Sequence, residues 1–208
     1  MATEYNRIQG RSLERLSALS DGIFAVAMTL LVLDLHIPSA AAVHSEPELW
    51  LALGAMAPQW VAYLMSFLTL GIFWAGQQTQ LNHMGEGSRD LTWIHLGFLF
   101  TVTLMPLTTR LLAEFITYRI ALLVYWVNIL LPGAMLYWSW SYATHHGLIK
   151  KDTPSEIRGA ICRRVLVAQG LYAFGAALCV FNTYVSIAVI VLVQLNYAIA
   201  PAFRRKRA

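Results

Sequence analysis

RLSALSDGIFAVAMTLLVLDLHIP, Arg15 to Pro38, is the stretch that decides the fold. Between Asp21 and Asp34 it carries no charge, and Thr29 is the sole polar interruption. Twelve residues separate the two carboxylates, which at 1.5 Å per residue is about 18 Å of helix, so both acids fall within or near the edges of a hydrocarbon layer about 30 Å thick. A charge at the bilayer centre costs roughly 2.5–3.5 kcal/mol on the insertion scale and less near the interface, so an acid kept there faces protein or water. The helix is expected to line something wet, with Asp21 turned towards protein.

The rest of the chain fits that setting. Of 208 residues 58% are hydrophobic and 12% charged, about half the charge of an ordinary soluble domain. Six apolar stretches are long enough to cross a bilayer: Leu16–Ile37, Leu49–Gln77, Leu91–Leu112, Ile116–Tyr142, Ala160–Phe181 and Val185–Phe203. The expected fold is an all-α membrane protein, a six-helix transmembrane bundle filling residues 1–208 as one domain. Six spans put both termini on one side, and 13 of the 15 basic residues then fall on that side, with Arg110 and Arg119 opposite. Cytoplasmic loops retain Lys and Arg, so both termini are read as cytoplasmic. Topology accounts for the basic balance without a nucleic-acid partner, and the tail Arg204–Arg207 reads as a positive-inside anchor. Arginines, an apolar run and Pro38-Ser39-Ala40-Ala41-Ala42 imitate a secretory signal, but the run is too long and holds Asp34 and His36 before the apparent cut.

Other chemistries find little support. Thr101-Val102-Thr103-Leu104 shares only its first letters with a TVGYG filter, and the adjacent Arg163 and Arg164 lack the spacing of a voltage sensor. His145 and His146 are neighbours that point apart on a helix, and Cys162 and Cys179 show neither metal-ligand nor disulfide spacing. No nucleophile, base or metal cluster converges, so neither an enzyme nor a cofactor is expected. Pro58, Pro106 and Pro132 fall inside spans, where each removes a backbone hydrogen bond.

On a 3.6-residue period Gly22, Val26, Thr29, Leu30, Leu33 and Ile37 share one face of the first helix. Ser20 and Asp21 also suit a helix start, where such side chains cap free amides, and on composition alone that reading leads. Arg15, however, precedes Asp21 by six positions, too far for a direct pair along one helix, which points instead to a network with neighbouring groups. That network would brace the helix at its cytoplasmic end.

Arg15-Leu16-Ser17-Ala18-Leu19-Ser20-Asp21 and the helix after it resemble the R-x-x-x-F-S-D motif of the transmembrane protein 175 family of potassium channels. Phe67…Trp74 and Leu99…Pro106…Thr108 add to the resemblance, which covers essentially the whole chain. It implies a homotetramer in the lipid bilayer, with the first helix of each subunit lining a potassium pore that lacks a TVGYG filter. By offset from Asp21, the resemblance puts the narrowest apolar layer at Val26, Thr29 one turn later, and Leu30 and Leu33 in outer layers. Arg15, Ser20 and Asp21 would form the brace. Two departures stand out: Leu19 replaces the motif Phe, and Gln77-Gln78 replace an expected His-containing stretch.

The implied mechanism is a pore closed by dewetting at Val26, Leu30 and Leu33, with Thr29 hydroxyls offering oxygen to a partly stripped ion. Asp34, with Glu46 and Glu48, would concentrate cations at the outer mouth. The setting is a prokaryotic plasma membrane, crossed several times. A proton-conducting channel of the same fold, a secondary transporter and a non-conducting scaffold are the competing readings. The stripe between Asp21 and Asp34 holds no titratable relay, and few polar residues mark a midplane transport site.

Overall fold

The computed structural model describes residues 12–204, with side chains through Ile199. Arg7, Arg11 and the Arg205–Arg207 part of the basic tail lie outside the described residues. The chain is helical throughout: α1 (Leu13–Leu30), α2 (Glu46–Ala55), α3 (Ala57–His83), α4 (Arg89–Thr103), α5 (Met105–Glu114), α6 (Arg119–His145), α7 (Ser155–Ala177) and α8 (Thr183–Arg204). Short 3₁₀ turns follow α1 at Leu31–Asp34 and α7 at Leu178–Val180.

Counted with their 3₁₀ extensions, and with α4 and α5 taken together, five helical segments among the described residues are long and apolar enough to cross a membrane: Leu13–Asp34, Ala57–His83, Arg89–Glu114, Arg119–His145 and Ser155–Val180. The stretch expected as a sixth span corresponds to the shorter apolar segment Thr183–Ile199.

Two of the expected spans are interrupted, and proline explains both. Leu49–Gln77 is divided at Met56 and Leu91–Leu112 at Leu104, with Pro58 and Pro106 opening the helices that follow. A proline within the first turn loses no helical bond, whereas in a continuous helix its ring would clash with the carbonyl four residues back. Pro132, by contrast, stays inside α6. The second span also runs on to His83, because the residues beyond its apolar part are buried amides: Gln77 and Gln80 are almost fully enclosed.

Helix starts follow local chemistry. Ser12 Oγ accepts from Arg15 N at 3.3 Å to open α1, and Ser88 Oγ accepts from Leu91 N at 3.2 Å to open α4. At the end of α6, Gly147 adopts φ +67°, which lets Leu148 N donate back to Ala143 O at 2.9 Å. The loop after it pairs with the one after α3: Gly85 N donates to Leu148 O at 2.8 Å and Lys150 N to His83 O at 2.9 Å.

One large core joins α1, α3, α4, α5 and α6 through Phe24, Leu31, Met65, Phe98, Val102, Met105 and Tyr125, and reaches α7 and α8 through Tyr172 and Ile190. A smaller cluster of Leu16, Leu81, Leu91 and Trp140 closes the end near the start of α1. Cys179 packs in the main core and Cys162 is half-buried; both are free. His146 stacks on Tyr142 at 4.0 Å, and the ring nitrogens of His145 and His146 each contact a backbone carbonyl one turn back.

A candidate pore helix and its brace

Helix α1 has two unlike faces. Leu16, Ser20, Phe24 and Ala27, followed by Leu31, are buried at three- and four-residue intervals, the spacing of a single helical stripe. Phe24 anchors that stripe against Phe98, ring centres 5.9 Å apart. On the other side Val26, Leu30 and Leu33 are 57%, 43% and 72% exposed, and Thr29 is exposed between them. A Cβ added at Gly22 would meet nothing within 4 Å. The stripe read from periodicity is therefore the face that the chain leaves uncovered.

Thr29 Oγ1 contacts its own helix, donating towards Ala25 O at 3.0 Å or Val26 O at 2.9 Å. This satisfies the hydroxyl hydrogen and leaves acceptor capacity on the oxygen.

Ser20 and Asp21 lie two turns inside α1, since the helix starts at Leu13 on its Ser12 cap. That excludes the helix-start reading. Ser20 is fully buried: it donates to Leu16 O at 2.9 Å and accepts from Gln77 Nε2 at 2.6 Å. Asp21 Oδ1 accepts from Trp74 Nε1 at 2.7 Å and from Gln78 Nε2 at 2.8 Å. Ser17 joins the group through Gln78, at 3.2–3.3 Å. All three donors sit at i, i+3 and i+4 on α3, one face of that helix, so a single neighbour holds both motif residues.

Arg15 is exposed and has no part in this network. Gln77 and Gln78, read from sequence as departures from the motif, supply its amide donors. Their spacing with Trp74 is the sequence signal that marks them.

At the far end, Asp34 closes the 3₁₀ turn after α1 and is half-buried. Arg110 and Glu114, an ion pair at 2.9 Å, lie within its electrostatic reach, the cation favouring its charge and the carboxylate opposing it. His36 N donates to Gln59 Oε1 at 2.9 Å, which ties the following segment to the first turn of α3. Glu46 and Glu48 are exposed at the start of α2, where Glu48 accepts from His44 N at 2.8 Å.

The Ser20–Gln77 contact yields a double-mutant test. Ser20→Ala strands a buried amide and is expected to cost about 1–3 kcal/mol. Adding Gln77→Met removes the stranded group, including an oxygen with no partner among the described residues, and should recover most of that loss. Thermal unfolding of the four proteins in detergent measures the coupling, and additive losses would mean the contact contributes nothing.

Residues 15–106, which span α1 to α4 and the break before α5, match the family model described as endosomal/lysosomal potassium channel TMEM175. A potassium channel of Streptomyces collinus is 39% identical over 102 residues, 49% of this chain and 48% of that one. The mouse endosomal/lysosomal proton channel TMEM175 is 32% identical over 109 residues, 50% of this chain and 22% of that one. This chain thus matches about half the length of the Streptomyces relative and less of the mouse one. The whole fold also has a counterpart. The crystal structure of a lysosomal potassium-selective channel TMEM175 homologue from Chamaesiphon minutus superposes with a TM-score of 0.77 at 25% identity, covering 94% of this chain and 98% of that one. Motif, family model and fold together make this chain similar to the TMEM175 membrane channels, in sequence over residues 15–106 and in fold over nearly its whole length.

Proposed function

We propose that four copies of the chain assemble around α1 to form a potassium-selective leak channel whose pore is lined by Val26, Thr29, Leu30 and Leu33. The observation that carries this reading is the uncovered face of α1, set opposite a face locked into the bundle. Turned to acyl chains, the same side of the helix would place Thr29, and near its start Asp21, against hydrocarbon; turned to an axis, it meets water and ions. Rings of apolar side chains there would hold the pore shut by dewetting, and widening would admit water. The Ser20–Gln77 and Asp21–Trp74–Gln78 contacts fix the helix against α3 at one end.

Under this reading the membrane is crossed six times, Thr183–Ile199 contributing the last span, with both termini cytoplasmic in a prokaryotic plasma membrane. Potassium is the permeant ion, as the names of the Streptomyces and Chamaesiphon relatives suggest. The name of the mouse relative favours a second reading, proton conduction. Against it, the stripe from Gly22 to Leu33 carries no titratable group. Reconstitution into liposomes under separate potassium, sodium and proton gradients tests both. Flux following the potassium gradient supports the first reading, flux following the proton gradient the second, and no flux above empty liposomes rejects both.

Thr29→Val tests the one polar ring. Loss of an oxygen ligand worth about 0.5–1.5 kcal/mol is expected to lower potassium over sodium permeability by roughly two- to tenfold. An unchanged ratio would leave Thr29 as a residue that bonds only its own backbone.

A further inference from the structure

Away from α1, the bundle leaves a second space between α3, α6, α7 and α8, about 70 Å³ in volume. Its walls are mostly apolar, from residues such as Phe73, Leu136, Val165 and Ala168. Arg164 lines it too, exposed, with its guanidinium carbon 5.7 Å from the centre of the Tyr197 ring.

Three other lining residues each carry a buried oxygen with no partner among the described residues: Gln80 Oε1, Gln169 Oε1 and the Tyr172 hydroxyl. Gln80 and Tyr172 are each only 2% exposed. Both amide nitrogens are committed to the backbone of α6, Gln80 Nε2 donating to Leu136 O at 3.2 Å and Gln169 Nε2 to Ile129 O at 3.4 Å. Turning either amide over would set its oxygen against a carbonyl oxygen, so the orientation is fixed and the acceptors are left open.

These two contacts flank Pro132 and Gly133. A proline removes one backbone bond from the helix there. A Cβ at Gly133 would collide with the Gln169 side chain, so the glycine makes the notch that the amide occupies.

An occupant must donate hydrogen bonds to two amide oxygens and pair with a phenol. The neighbouring Arg164 cation and the apolar walls select a neutral one. The space has room for a few waters, each with polar partners. We propose that this cavity is a water-binding site within the subunit, seated against Pro132 and Gly133 of the continuous helix α6 and separate from the α1 stripe. Its water bridges the side chains of α3 and α7 that grip α6 on either side of that pair.

Radiolytic hydroxyl labelling of the full-length protein in nanodiscs, read residue by residue by mass spectrometry, tests this directly, because radicals form from bound water in place. Tyr172, 2% exposed, is expected to oxidise several-fold faster than Tyr125, which is 0% exposed and has its hydroxyl in contact with Ser66. Ala168→Leu fills the space and should bring Tyr172 down to the Tyr125 rate. Gly76→Ala, a milder filling whose added carbon makes only an ordinary contact with Leu136, should lower it in part. Equal rates for the two tyrosines in the unaltered protein would overturn the proposal. So would labelling of Tyr172 that falls when potassium replaces choline in the buffer, since a cation would then be the occupant.

Discussion

In potassium-loaded liposomes, Val26→Asn is expected to raise potassium efflux about tenfold and to bring potassium and sodium permeabilities close together. The substitution keeps the exposed position and replaces two methyl groups with an amide, so in the proposed pore water would no longer be expelled from the ring at Val26. Lowering the barrier there by about 1.4 kcal/mol suffices for the tenfold increase. A hydrated constriction also stops demanding that ions shed their shells, which erodes the preference between them. Since Val26 is 57% exposed and outside the core, the variant should fold as the unaltered protein does. Unchanged flux and unchanged selectivity would remove Val26 from the gate.

The opposite face of the same helix should answer to a different measurement. Phe24→Ala is expected to cost about 3 kcal/mol, at the low end for a buried phenylalanine because lipid tails already offer an apolar surrounding. Phe24 is 2% exposed and packs on Phe98, which in turn meets Phe73 at 6.4 Å, so its removal opens a hole where α1, α3 and α4 join. Thermal unfolding in detergent should show a clear loss for Phe24→Ala and little for Val26→Ala. Equal losses would mean that the two faces of α1 are wrongly divided between core and pore.

Much of this division is legible in the sequence, for physical reasons that differ by residue. Val26, Thr29, Leu30 and Leu33 follow from helical periodicity, which depends on nothing beyond the helix itself. Ser20 and Asp21 stand out because polar groups are costly at the edge of an apolar run. Their donors on α3 are harder to see: Gln77 and Gln78 fall where the apolar signal of the second span fades, although the helix continues to His83. Arg15 illustrates the converse, since the motif groups it with Asp21 while the fold leaves it exposed. The neighbourhood of Asp34 with Arg110, and the shared wall of Gln80, Gln169 and Tyr172, arise between distant segments and have no local signature. Breaks at Pro58 and Pro106 are marked by the prolines themselves, yet Pro132 breaks nothing, because only the surrounding helices decide whether the chain restarts.

The 3₁₀ turn Leu31–Asp34 sets how the rod behaves under torsion. Three residues per turn bring Leu33 round almost in line with Leu30, so that the two side chains stack along the axis. Rewinding the turn to an α-helix changes the rotation by about 20° per residue and the length by about 0.5 Å per residue. Leu33 would then swing by some 60° relative to Leu30. Such a twist would be confined to the end of the rod remote from Ser20 and Asp21, whose contacts with α3 lie at the other end.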